Sequence, residues 1–140
     1  MILLLFVVLA LTSFKFSDAL LGIGSFQTIN VHGSLTCDGK PAKDVLVKLY
    51  DVNKIIPDNL LGEIKSNSSG KFAIKGEIND ITKMDPKVNI YTDCHVGVLR
   101  CTKKVEINVP HRAINTGESF DIGSIELATT YPGESHDCIH

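Results

Sequence analysis

Ile29-Asn30-Val31-His32-Gly33-Ser34-Leu35 places apolar or small residues at every second position, with polar ones between them. Side chains of an extended chain point alternately to two faces, so this spacing predicts a strand with one buried and one polar face. Asp38-Gly39-Lys40-Pro41 follows. It has the composition of a turn, because glycine takes positive φ without steric cost and proline fixes its own. The period then returns: Val45, Val47 and Leu49 alternate with Leu46, Lys48 and Tyr50 up to Asp51.

The same signature recurs along the chain. Asn53 to Asn59, broken by Pro57, reads as a loop. Leu61 to Lys65 and Lys71 to Glu77 flank Asn67-Ser68-Ser69-Gly70 and predict a hairpin. Ile78 to Met84 fits either a helical turn or an irregular crossover, stopped by Asp85-Pro86. Further strands are expected at Val88 to Asp93, Lys103 to Val109 and Phe120 to Leu127. In the Lys103 to Val109 strand, Val105, Ile107 and Val109 face one way, and Lys104, Glu106 and Asn108 the other. Gly123 marks a bulge or a close backbone approach. The tail from Ala128 to His140 has no periodicity. Seven short strands with almost no helix predict an all-β fold, a β-sandwich with Greek-key connections.

Residues 1–19 read as a secretory signal: Met1 to Leu11 is almost wholly apolar, and small residues stand at Ser17 and Ala19. An anchor would need roughly 20 uninterrupted apolar residues, and Lys15 and Asp18 break the run. No later segment is apolar enough to cross a bilayer, so the expected product is secreted, extracellular and one domain over residues 20–140. In an oxidising compartment Cys37, Cys94, Cys101 and Cys138 form a disulfide framework before they form a metal or catalytic set. If the strands alternate in direction, all four cysteines gather at one end of the sandwich. The spacing favours Cys94–Cys101 across a short loop with Cys37–Cys138 pinning the tail; Cys37–Cys101 with Cys94–Cys138 is the close rival, and all three pairings stay open.

The net charge of −2 argues against a nucleic-acid partner, which calls for a basic excess. The absence of tryptophan and an aromatic content of 6% also disfavour stacking on single strands. No cofactor motif is legible, because Gly22-x-Gly24 lacks the preceding strand and following helix of a phosphate-binding loop.

Beyond these general features the residues resemble a family. The likeness runs through Gly22-Ile23-Gly24, Gln27, Val31-x-Gly33 and Cys37-Asp38-Gly39-Lys40-Pro41-Ala42 to Val45-x-Val47-x-Leu49-Tyr50-Asp51. It continues through Asp58-Asn59-Leu60-Leu61, Ser69-Gly70-x-Phe72, Asp85-Pro86, Ile90-Tyr91-x-Asp93-Cys94 and Cys101. Val105-x-Ile107-x-Val109-Pro110, Phe120-Asp121-Ile122-Gly123 and Gly133-Glu134-Ser135-x-Asp137-Cys138 complete it. In these stretches the chain is similar to the nematode transthyretin-like proteins. The resemblance implies a secreted transthyretin-type β-sandwich and an extracellular binding protein, in one theme bridging exposed lipid and a cell-surface receptor.

The residues offer several sites to set beside that implication. A sister branch of the family hydrolyses hydroxyisourate with histidines, an arginine and a C-terminal Tyr-Arg-Gly-Ser. His32, His111, Arg112 and Tyr131-Pro132-Gly133-Glu134-Ser135 resemble that set thinly, since proline replaces arginine and the tail runs on to a cysteine. No catalytic residue is therefore assigned, and no Ser-His-Asp or Cys-His set is legible. Metal binding by His95, His136 and His140 beside Cys94 and Cys138 gives way to disulfide formation, which removes the thiolates. Arg100, Lys103 and Lys104 form a basic edge suited to anionic lipid headgroups or a receptor; lysines that guard a strand edge against pairing are the plainer alternative. Asn67-Ser68-Ser69 is an N-glycosylation sequon in an exposed turn. The expected function is a secreted binding or bridging module, with a carrier of a small hydrophobic ligand second and the hydrolase last.

Overall fold

The computed structural model describes residues 24–97 and 101–140. The expected leader, the Gly22-Ile23 lead-in and Arg100 lie outside the described residues. Nine strands are present among them: β1 (Ser25–Cys37), β2 (Lys40–Pro41), β3 (Leu46–Asp51), β4 (Asn59–Lys65), β5 (Lys71–Asp80), β6 (Pro86–Thr92), β7 (Thr102–Asn108), β8 (Ser119–Glu126) and β9 (Ser135–Asp137). One sheet has β1 at its centre, paired with β2 and β5 antiparallel and with β8 parallel. The other runs β4-β3-β6-β7-β9. Among the described residues no helix is long and apolar enough to cross a membrane.

The alternation in the sequence accounts for this layering. Ile29, Val31 and Leu35 on β1, Val47 and Leu49 on β3, Val88 and Ile90 on β6 and Val105 on β7 are buried between the sheets. A fully buried side chain of this size contributes about 1.5–3 kcal/mol, so one apolar face per sheet suffices to hold the two together. All seven expected strands form.

Two expectations are corrected, for the β4–β5 turn and the tail, and the open alternative for Ile78 to Met84 is decided. β4 and β5 do not make a hairpin, because β4 pairs with β3 and β5 with β1 in the opposite sheet. The turn between them is a crossover, held by Asn67 Oδ1, which accepts from the Ser69 and Lys71 amides at 3.0 Å each. Ile78 to Asp80 extend β5, and the rest of the ambiguous segment is an irregular crossover. Buried Gln27 fixes it: the side chain donates to Thr82 O at 2.8 Å and accepts from Met84 N at 2.7 Å. The tail also contains a strand, β9, too short for periodicity to show.

The disulfides are Cys37–Cys94 and Cys101–Cys138, so both pairings favoured from spacing are corrected. All four cysteines do lie at one end of the sandwich. The β6–β7 ladder pairs Thr92 with Lys103, and two further steps would set Cys94 opposite Cys101. The chain turns at Cys94 and His95 instead, where His95 has φ +57°, and Cys94 bonds across the sheets to the end of β1. Cys101 is matched from its other side: β9 pairs Asp137 with Thr102, which brings Cys138 beside Cys101.

Gly123 forms the expected bulge. Between His32 and Ser34 the β1–β8 register shifts, so that Ile122 and Gly123 oppose the single residue Gly33. A methyl group on Gly33 would stand 2.7 Å from Ile122 Cγ1 and 3.2 Å from the Gly123 carbonyl. Gly33→Ala is therefore expected to cost about 1–3 kcal/mol, read as a lower thermal midpoint. Melting at the wild-type temperature would show that the bulge absorbs a side chain freely.

Candidate functional site

The basic edge is taken apart by strand alternation. Lys103 points inward at the disulfide pole with its side chain 8% exposed, and its Nζ donates to Leu127 O and Thr129 O at 2.8 Å each. Glu134 Oε2 completes the shell at 3.3 Å. The expectation that Lys103 meets a lipid or receptor is therefore corrected, because its charge is spent on the ends of β8 and the tail. Lys104 faces the other way and pairs with Glu106 at 3.4 Å.

Glu134 has a role that the sequence left unassigned. It accepts the Tyr131 amide at 3.0 Å, and that bond, then the Lys103 ammonium, holds its carboxyl below the usual range. A depressed folded pKa stabilises the fold above the unfolded pKa and loses that contribution as pH falls through the folded one. Acidification below the ordinary glutamate range should thus loosen the tail first, seen as faster amide exchange at Tyr131. Glu134→Gln should abolish this pH dependence.

The outer face of the five-stranded sheet carries the densest polar chemistry. Lys48, Asn89 and Glu106 lie side by side across β3, β6 and β7, with Glu63 of β4 beyond Lys48. Tyr50 and Tyr91 flank this row. The Tyr50 hydroxyl, withdrawn from water and hydrogen-bonded to Tyr91, has its pKa pushed up to about 12. His140 stacks on the Tyr91 ring with centroids 5.1 Å apart, and Lys48 Nζ stands 5.5 Å from the same ring. Asn89 Nδ2 donates to the Tyr91 hydroxyl at 3.3 Å. Asn89 Oδ1 is buried and has no hydrogen-bond partner among the described residues. A buried unpaired acceptor costs about 1–3 kcal/mol, a cost carried beneath the Tyr91 side chain.

Charge on this face is balanced. Lys48 pairs with Glu63 at 3.9 Å, and Lys87 with Asp58 at 3.0 Å and Glu106 at 3.6 Å. The alternation in the sequence marks Lys48, Tyr50, Lys104 and Glu106 as strand positions but leaves their convergence with Asn89 and Tyr91 unseen. The signal was the Lys48/Tyr50 and Asn89/Tyr91 alternation, which needed the β3–β6 register to become a site.

The opposite sheet bears a cleft of about 560 Å³ lined by His32, Phe72, Ala73, Ile64, Lys71 and Asp121, with Asn67 at its wall. Asn67 is exposed, as its sequon requires. His32 Nδ1 lies 2.6 Å from Ser119 Oγ, but Asp121 is 3.8 Å from Nε2, beyond hydrogen-bonding reach. With the imidazole 42% exposed, the trio lacks the oriented, sheltered base of nucleophilic hydrolysis. The remaining hydrolase-like residues stand elsewhere. His111 follows β7 and bonds Asp85 at 3.0 Å, Arg112 lies over the Phe120 ring, and Tyr131 sits beside Glu134. His95, His136 and His140 are likewise dispersed: His95 bonds Asp38 at 2.6 Å, His136 is in β9, and His140 covers Tyr91.

The family model described as the transthyretin-like family matches residues 32–110. Transthyretin-like protein 5 of Caenorhabditis elegans is 45% identical over 123 residues, spanning 84% of this chain and 88% of the relative. Transthyretin-like proteins 33 and 2 of the same organism are 38% and 34% identical, over 81% and 84% of this chain and 83% and 86% of their own lengths. Among solved structures, a 9R-lipoxygenase from Cyanothece superposes with a TM-score of 0.44 at 14% identity, over 72% of this chain and 16% of that one.

Proposed function

The chain belongs to the transthyretin-like family, and from that premise we propose that it is a secreted, non-enzymatic binding module that docks onto an extracellular protein receptor through the Tyr50–Tyr91 face. The observation that carries this reading is the convergence of Tyr50 and Tyr91 with Lys48, Lys104, Glu63 and Glu106 on one sheet face. Tyrosines and alternating charges are the residue types that give protein interfaces contact area and register. Because each lysine there is matched by a carboxylate, the face suits another patterned protein surface better than a uniformly anionic lipid sheet. The leader of residues 1–19 supplies the route outside the cell, where the disulfides persist.

Binding of labelled protein to dissociated nematode cells tests this. We expect saturable binding that is lost when surface proteins are stripped by protease, and that falls at least about tenfold, or 1.4 kcal/mol, in the variant Lys48→Glu with Lys104→Glu. Retention on anionic vesicles equal to that on untreated cells would replace the receptor with lipid headgroups. The second reading, a carrier of a small hydrophobic ligand, is favoured by the Phe72 and Ile64 walls of the 560 Å³ cleft. Extraction of purified protein followed by mass spectrometry would reveal a retained ligand.

A further inference from the structure

At the disulfide pole two dipeptides converge, Cys37-Asp38 at the end of β1 and Cys94-His95 after β6. The sulfurs of Cys37 and Cys94 and an imidazole nitrogen of His95 all lie within 4.8 Å of one another. Asp38 Oδ2 holds His95 Nε2 at 2.6 Å, which leaves Nδ1 as the free ring nitrogen. Beside the bridge is a cavity of about 280 Å³ whose lining residues include both cysteines, Lys43, Asp44 and Asp93.

The backbone here is held in an uncommon conformation. Four non-glycine residues among those described have positive φ, and three of them, Asp38 at +53°, Asp44 at +58° and His95 at +57°, belong to this pole. Such conformations cost free energy and gather where the structure needs a side chain aimed in a particular direction. Two of the three follow a cysteine directly and bring Asp38 and His95 together. Glu126 fixes one side of the arrangement by accepting the Asp38 amide at 3.2 Å and the Gly39 amide at 2.5 Å.

We propose that reduction of Cys37–Cys94 turns this pole into a zinc site, with Cys37 Sγ, Cys94 Sγ and His95 Nδ1 as ligands and Asp38 as the carboxylate that orients the imidazole. While the bridge is intact its sulfurs are not thiolates, and the oxidised protein holds no zinc there. Two electrons from a water-soluble phosphine break the S–S bond, and one water molecule gives its oxygen to the phosphine oxide and its two protons to the sulfurs. Zinc then displaces both protons to solvent as the thiolates bind. Two sulfurs and one nitrogen leave one tetrahedral position, and the cavity gives it room for water. Asp38 acts as the outer partner that fixes the tautomer of a metal-binding histidine. The pole thus has two exclusive states, a disulfide and a zinc dithiolate.

Titration of the full chain with cobalt(II) before and after phosphine reduction tests this, with zinc added last to displace the cobalt. Reduced protein should bind one cobalt with a thiolate-to-metal charge-transfer band, and oxidised protein should show none. His95→Ala should weaken binding at least about tenfold, and Asp38→Asn about 10–100-fold. The variant Cys101→Ser with Cys138→Ser removes the other cysteine pair and should keep the band, whereas Cys37→Ser should lose it. If that variant does not fold, the His95→Ala comparison in otherwise unaltered protein decides alone. The proposal is overturned if reduced protein retains its sheet circular dichroism without binding cobalt, if reduction abolishes the sheet and cobalt does not restore it, or if the band is indifferent to His95→Ala.

Discussion

Replacing Cys37 and Cys94 together by alanine is expected to lower stability by about 4 kcal/mol, the largest single loss anticipated for this chain. The bridge closes a segment with a sequence separation of 57, so its removal returns a long loop to the unfolded ensemble. It also unties the two sheets at the pole where β1 ends and β6 turns. Urea denaturation measures the change as a lower midpoint, with a steeper slope because the unfolded chain without its cross-link is more expanded. The variant Cys94→Ala with Cys101→Ala separates the pairings: with Cys37–Cys94 and Cys101–Cys138 it breaks both bridges, whereas a Cys94–Cys101 bridge would make it a single loss. A midpoint unmoved by Cys37→Ala with Cys94→Ala would sink the cross-sheet bridge.

Lys103→Met should cost about 3 kcal/mol, although the methionine nearly preserves the volume of the lysine stem. The loss comes from the carbonyls of Leu127 and Thr129, which would be left without the ammonium that satisfies them. Its neighbour provides the control. Lys104 has only the partly exposed Glu106 to lose, and Lys104→Met should stay within about 1 kcal/mol of wild type. Thermal unfolding of the two variants side by side makes the comparison. Equal effects would mean that Lys103 is as open to solvent as its sequence neighbour, and the basic edge would be restored.

The sheets were legible because their signal is local. A period of two in Ile29 to Leu35 and in Leu46 to Asp51 needs no partner to be seen. What the residues alone withheld depends on register and on which sheet a strand joins. Asn67 to Gly70 has the composition of a hairpin turn and serves as a crossover, because local turn chemistry is the same in both and only the distant partner differs. The cysteine pairing failed for the same reason: β9 is three residues long, and without it nothing placed Cys138 beside Cys101. Lys103 shows the limit of charge counting. Its alternation partners Val105 and Ile107 put it on the inner face, and the sequence gives no sign that backbone carbonyls wait there to receive it. The Tyr50–Tyr91 face was hidden because β3, β4, β6 and β7 all contribute to it, and only their registers bring those residues together.

The tail strand has a consequence for how the molecule behaves in company. Without β9, β7 would present a row of open amides and carbonyls at the border of its sheet, a template on which the border of another molecule could lay itself down. β9 occupies that row through three paired positions, and Cys101–Cys138 makes the occupation covalent. The last bridge is therefore less a brace for the sandwich than a guard against polymerisation. The molecule keeps its copies apart by fastening its own end along the seam where they would otherwise join.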